Sequence, residues 1–151
     1  MKKLRRWDNN EVIIFEMECN SWEELLKRAL KKGVSFEYAD FEYADFSNAD
    51  FSGFDFSHRS FKNAKFTYAD FSNVNFSKSC FFKVNFENTI FENTIFQYSN
   101  FSDTNFEYAD FFNTSFENNH LMDINFNNAK FINTELVNIV KLVQLKMGRV
   151  P

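Results

Sequence analysis

Glycine, proline, cysteine and histidine are scarce in this chain of 151 residues, at three, one, two and two respectively. The sequence holds no Gly-rich phosphate loop, no nucleophile elbow and no zinc-ligand spacing. Cys19 and Cys80 lie far apart in sequence and read as free thiols in a reducing compartment. His58 and His120 each stand alone, without a partner at nucleophile or ligand spacing, and read as solvated side chains. No apolar run approaches the roughly 18 residues of a membrane span. The basic opening Met1-Lys2-Lys3-Leu4-Arg5-Arg6 runs into Trp7-Asp8-Asn9-Asn10, where a signal peptide would need an apolar stretch. These absences predict a cytoplasmic, non-enzymatic chain with no catalytic residue, no metal and no cofactor. They also argue against direct contact with nucleic acid or membrane.

What the chain has in excess is phenylalanine, 23 residues of it, and a bias of that size points to a repeat. From Phe36 to Leu136 a Phe or Leu recurs at every fifth residue, 21 positions of which 19 are Phe and two (Leu121 and Leu136) are Leu. Two residues before most centres sits a small or β-branched residue, as at Ala39, Ala44, Ala64, Val74, Thr94 and Thr114. A period of five fits neither a helix nor a flat strand. An inward large residue and an inward small one, separated by one outward residue, make a very short strand, and the next two polar residues turn the chain. Four such corners close a square coil, and coils stack at about 4.8 Å. Large centres then stack on large and small on small. Asn tolerates the backbone that a tight corner demands. Asn73, Asn93, Asn113 and Asn133 recur twenty apart, as a ladder bonding coil to coil would require. Asp40, Asp45, Asp50, Asp70 and Asp110 share one repeat slot, so the repeat accounts for them without acid–base or metal chemistry. Ice binding would need outward Thr ladders, but Thr89, Thr94, Thr104, Thr114 and Thr134 take the inward slot.

Segments such as Ala39-Asp40-Phe41-Glu42-Tyr43, Ala44-Asp45-Phe46-Ser47-Asn48 and Ala69-Asp70-Phe71-Ser72-Asn73 carry this pattern in full. Over residues 34–138 the sequence resembles the pentapeptide-repeat family. The resemblance implies an all-β solenoid, a right-handed quadrilateral β-helix of about five coils. Phe54, Arg59 and Asn119 depart from the small inward type. Because Phe54 follows Gly53 and precedes Arg59 by one repeat, one distorted corner is expected there.

Both ends need caps. Residues 1–33 read as an N-terminal hairpin plus helix. Asp8-Asn9-Asn10 is the turn signal, Ser21 with Glu24 a capping box, and Lys31-Lys32-Gly33 the helix stop. Trp22, Leu25, Leu26, Ala29 and Leu30 would form the helix's apolar face. Similar caps occur in pentapeptide proteins of phages and mobile elements, which points to such an origin. Residues 139–151 read as an apolar, helical cap. Ile139, Val140, Leu142, Val143 and Leu145 are too apolar for a one-sided surface helix and serve either as a monomeric plug or as a homodimer segment.

The family resemblance also implies a partner: a type II topoisomerase, DNA gyrase or topoisomerase IV, bound by imitation of B-DNA. Residues 34–138 carry 15 acidic and six basic side chains, net −9, whereas the segments before and after are net positive. Five coils span roughly 25 Å, a length of duplex that carries about 15 charges. Glu42 faces Lys62, Asp45 faces Lys65, Lys83 faces Asp103 and Asp110 faces Lys130 in the expected stacking. That leaves Glu87, Glu92, Glu107, Glu117 and Asp123 as the candidate acidic partner surface. The competing candidate surface is apolar: Ile90, Ile95, Phe112 and Ile132. It fits an interaction or structural module for an unrelated protein partner, or for a second copy.

Overall fold

The structure, a computed structural model, describes residues 1–6, 11–37, 39–139, 141–143 and 146–147. The chain opens with an antiparallel hairpin, β1 (Lys2–Arg5) and β2 (Ile13–Met17), then a helix, α1 (Trp22–Lys31). The expected turn at Asp8-Asn9-Asn10 lies outside the described residues. Ser21 caps α1 by accepting the Glu24 N–H at 3.0 Å. At the other end Gly33, at φ 70°, and Val34 close the helix on the carbonyls of Leu30 (2.9 Å) and Ala29 (3.0 Å). Leu25, Leu26 and Ala29 are buried and Trp22 is half-buried, but Leu30 is exposed, so the apolar face is narrower than its spacing predicts.

The coils that follow pair in parallel, each residue beside the one twenty positions on, first through single bridges such as Asp45↔Lys65 and Ser60↔Cys80. Longer strands appear from residue 90: β3 (Ile90–Glu92), β4 (Asn100–Ser102), β5 (Asp110–Phe112), β6 (Ser115–Glu117), β7 (His120–Met122) and β8 (Asn125–Phe126). The last are β9 (Lys130–Ile132), β10 (Glu135–Val137), β11 (Lys141–Val143) and β12 (Lys146–Met147). They form four parallel sheets, β3-β5-β9, β4-β7-β11, β6-β10 and β8-β12, one for each side of a square.

Inside, the centres form four columns. Phe46, Phe66, Phe86, Phe106 and Phe126 stack with near-parallel planes, ring centroids 5.0–5.1 Å apart. Neighbouring columns meet edge to face, as Phe66 and Phe71 do at 5.0 Å and 78°. Both geometries suit the ring quadrupole. Every corner turns on a left-handed residue two positions after the centre, from Tyr43 (φ 58°) and Asn48 (φ 60°) to Asn138 (φ 52°). Asn adopts this conformation readily, whereas Tyr and Lys at the same position are held there by the ladder on either side. Most Asp and Asn before a centre accept the N–H two residues on, as Asp40 does from Glu42 (2.9 Å) and Asn85 from Glu87 (3.1 Å); Asn100 instead accepts the Ser102 hydroxyl (2.9 Å) and Asp110 pairs with Lys130 (3.0 Å). The acidic slot is therefore a turn-forming device, as the repeat reading requires. The ladder Asn73–Asn93–Asn113–Asn133 closes at 3.4, 3.1 and 3.3 Å.

One expectation is narrowed and another needs correction. The Phe54 corner is regular: Gly53 takes the usual left-handed turn, and Phe54 is buried against Phe51 and Phe56, both at 5.2 Å. The departure lies one corner later, at Arg59. The C-terminal segment is also not helical at 141–143 or 146–147, where β11 pairs with β7 and β12 with β8. Leu142 lies beside Leu121 and Met147 beside Phe126, one residue out of the twenty-residue register that holds through Val137↔Glu117. A single extra residue between β10 and β11 thus disguises a continuing coil as an irregular apolar stretch.

The helix is tied to the rod by Trp22 against Phe46 (5.8 Å) and by the Lys27–Asp50 ion pair at 3.2 Å. The Ser52 N–H and hydroxyl, then Lys27, hold the Asp50 carboxyl at about 2, below its ordinary 3.8. A depressed carboxylate stabilises the fold above its unfolded value and loses that contribution as pH falls through the folded one. The difference in thermal midpoint between the native chain and Asp50→Asn is therefore expected to be small but measurable at pH 6, to shrink as pH falls from about 4 towards 2, and to vanish only below about 2. A gap as large at pH 2 as at pH 6 would exclude ionised Asp50 as its source.

Candidate functional site

Around the rod, the five candidate acids do not share a face. Glu87 and Glu107 flank the Phe86–Phe106 stack, Glu92 is in β3 on the next face, and Glu117 is in β6 on the one after. Asp123 sits on a corner, at φ 55°. Three of the five accept amide hydrogen bonds: Glu87 from Asn88 (3.3 Å), Glu107 from Asn125 (3.4 Å), and Glu117 from Gln97 and Asn118 (both 3.1 Å). Glu92 and Asp123 are exposed. Of the four expected cross-coil charge pairs, Lys130–Asp110 closes at 3.0 Å. Glu42 instead accepts the Ser60 hydroxyl at 3.1 Å, and Lys62 and Lys83 lie over the ring of Phe82 at 5.8 and 5.0 Å.

The apolar candidates converge better. Ile90, Phe112 and Ile132 belong to β3, β5 and β9 of one sheet, 45%, 39% and 51% exposed, with Phe112 directly beside Ile132. Ile95, also exposed, is around the corner, bridged between Asn75 and Ser115. Acids border the apolar sheet face: Asp70 and Asp110 pair on either side of Ile90, and Glu92 pairs with Phe112. The result is an apolar spot bordered by Asp70, Glu92 and the Asp110–Lys130 ion pair, a margin with a net negative charge.

Of the C-terminal candidates, Ile139 is half-buried against the core, and Leu142 and Val143 belong to β11. Val140 and Leu145 lie outside the described residues. Leu136 and Val137 in β10 are exposed. His58 is exposed and His120 half-buried within β7. Among the described residues no cluster of three or more His, Cys, Asp or Glu could hold a metal ion.

Two features went unnoticed in the sequence. Asn85, Asn105 and Asn125 form a second ladder at 3.0 and 2.8 Å, signalled by the same twenty-residue spacing. Ser79, Ser99 and Asn119 form a buried polar column, in which each side chain wedges into the corner of the coil before it. The Ser79 hydroxyl accepts from Arg59 N–H (3.2 Å) and donates to Phe56 O (3.0 Å). Ser99 does the same between Ser79 N–H and Phe76 O, at 3.2 and 2.9 Å. Asn119 accepts from Ser99 N–H at 2.7 Å and donates to Phe96 O.

Comparison with known proteins places this architecture. The profile described as "Pentapeptide repeat region" matches residues 64–140, and "Pentapeptide repeats (8 copies)" matches 32–53 and 44–82. No curated protein sequence matches. Among solved structures, a pentapeptide repeat protein from the Arabidopsis thaliana thylakoid lumen is 19% identical, with TM-score 0.47. The match covers 64% of this chain and 63% of that one. QnrB1, a plasmid-mediated fluoroquinolone resistance protein, is 23% identical with TM-score 0.43, over 70% of this chain and 56% of its own. HetL, involved in heterocyst differentiation regulation in the cyanobacterium Nostoc sp. strain PCC 7120, is 16% identical with TM-score 0.34, over 81% and 48%. The chain thus spans less than two thirds of the length of each. No helix among the described residues is long and apolar enough to cross a membrane.

Proposed function

The chain belongs to the pentapeptide-repeat family, and on that premise we propose that it is a non-catalytic binding scaffold whose partner surface is the face of β3, β5 and β9. The observation that carries this reading is the exposed apolar group Ile90, Phe112 and Ile132 on one rigid sheet. Large side chains left in water on a fixed surface favour a protein contact, and the acids around them select a partner with apolar residues ringed by cations. A second copy is one such candidate at β10, where Leu136 and Val137 are exposed.

A type II topoisomerase is the named partner to test, because the net charge of −9 resides on the rod, as imitation of B-DNA would require. The dispersal of Glu87, Glu92, Glu107, Glu117 and Asp123 over several faces argues against a single acidic band. One experiment separates the readings: DNA gyrase supercoiling, with and without a quinolone, in the presence of the native chain and two variants. The first carries Phe112→Ser and Ile132→Ser; the second changes Glu87, Glu92, Glu107 and Glu117 to Gln. Inhibition or protection lost only in the second establishes DNA imitation; loss only in the first assigns the contact to the apolar face. No effect at large excess removes the topoisomerase reading. The scaffold surface itself fails if the first variant, folded, leaves every association of the chain unchanged, self-association in sedimentation included.

A further inference from the structure

The first coil is bound to the second along most of its length, by Tyr43 N–H to Lys62 O (3.0 Å), Phe46 N–H to Lys65 O (2.8 Å) and Phe51 N–H to Asp70 O (2.9 Å). At the Ala39 corner the first coil turns elsewhere. Ala39 is bridged to Arg6 and Asp40 N–H donates to Arg5 O at 2.8 Å, so this corner pairs with the N-terminal hairpin. Phe41 N–H does not reach Ser60 O, although the equivalent bond, Phe61 N–H to Cys80 O at 2.9 Å, closes one coil later. Arg59 stands in the slot that elsewhere holds a small inward residue. Its side chain cannot enter the corner as Ser79 does; its Nη1 turns back to His58 O at 3.1 Å, and its buried Nε has no partner.

The outcome is an open groove of about 820 Å³ between the coils, within the size range of small-molecule sites, about 300–1,000 Å³. Its lining brings Glu37 and Glu42 from the first coil opposite His58 and Arg59 from the second and Lys78 from the third. None of these carboxylates lies within 4.0 Å of Arg59, Lys78 or His58 as an ion pair among the described residues. A groove that collects charges of both signs without an ion pair between them, Glu42 accepting only the Ser60 hydroxyl at 3.1 Å, is preorganised for a ligand that carries both. A doubly charged anion would meet the two glutamates, and a simple cation would meet Arg59 and Lys78.

We propose that this groove binds a small zwitterion, an amino acid or short peptide, with its carboxylate toward Arg59 and Lys78 and its ammonium toward Glu37 and Glu42. The proposal rests on the groove alone and is independent of the β3-β5-β9 surface. The test is a nitrogen–proton NMR titration of the full chain with triglycine, with acetate, ethylamine and inorganic phosphate as single-charge controls. Triglycine at millimolar concentration is expected to shift the Arg59 Nε–H and Ser60 amide signals. Each control should bind at least about tenfold more weakly, as expected when one set of charge-assisted hydrogen bonds is missing. Arg59→Ala restores the small residue of the repeat and should fold; it and Glu42→Gln are each expected to weaken triglycine binding about tenfold or more. Lys78→Gln, at an exposed corner, serves as the check if Arg59→Ala perturbs the coil. The proposal is overturned if triglycine shifts no groove signal, if acetate or phosphate binds as well as triglycine, or if the variants bind as the native chain does.

Discussion

Phe86→Ala is expected to lower the unfolding free energy by about 3–5 kcal/mol, the range for truncating a buried aromatic. Phe86 is fully buried, stacked on Phe66 and Phe106 at 5.0 Å and edged by Phe91 at 5.2 Å. In many cores a cavity is partly filled by collapse of the surroundings. Here the neighbours are fixed by the ladder, with Phe86 N–H on Asn105 O at 2.7 Å and Phe66 N–H on Asn85 O at 2.8 Å. The stack cannot shorten at one level without breaking register with the other three columns, so the void stays open. Two stacked partners are also lost, each worth about 0.5–1.5 kcal/mol beyond area. Phe131, half-buried in β9 with Phe111 as its single stacked partner among the described residues at 4.9 Å, is the internal control. Denaturant unfolding should place Phe131→Ala well below Phe86→Ala. Equal costs would mean that the stack relaxes and that ladder rigidity is not what sets the penalty.

How much of this was legible beforehand follows from the same rigidity. A period of five carried over 21 centres left little choice of fold, because one slip would put a whole column of Phe in water, and the repeat centres from Phe36 to Phe126 are buried as the spacing requires. The ladder at Asn73, Asn93, Asn113 and Asn133 was readable because stacked coils bring residues twenty apart into contact. Where the period broke, the reading broke with it. One added residue before β11 moved the next centre from 141 to 142, and the apolar stretch then looked helical. Tyr43, Tyr68, Tyr98 and Tyr108 occupy left-handed corners that their side chains do not advertise; only their place in the repeat does. The surfaces were hardest to read. Spacing assigns a residue to a face, but the acids at 87, 92, 107, 117 and 123 had to be placed around the square before their dispersal was evident. Arg59 was recognisable as a misfit, whereas the groove beside it depends on the hairpin drawing Ala39 and Asp40 away, a long-range pairing that no local pattern encodes.

Asn119→Leu should be the costliest change in the polar column, about 2–5 kcal/mol, and Asn119→Ala should cost much less. Asn119 is fully buried, and its amide bridges Ser99 N–H to Phe96 O, a donor and an acceptor three residues apart in the preceding coil. Where Ala stands at this position, as Ala129 and Ala64 do, those two groups bond directly: Ala109 N–H to Phe106 O at 3.0 Å and Ala44 N–H to Phe41 O at 3.3 Å. Leu has nearly the shape of Asn, so it holds the corner apart but can neither accept nor donate. Ser99 N–H and Phe96 O are then both buried and unpaired, at about 1–3 kcal/mol each. Ala removes the wedge, and the corner can close on itself in the way Ala109 and Phe106 show. Ser should be nearly neutral, since Ser99 performs the same double bond one coil earlier, to Ser79 N–H and Phe76 O. The expected order of stability is Asn, Ser, Ala, Leu, the reverse of what side-chain hydrophobicity would give for a buried slot. If Leu instead proves as stable as Asn, hydrogen bonding in this column does not limit stability, and the polar residues there owe their presence to something other than the corner.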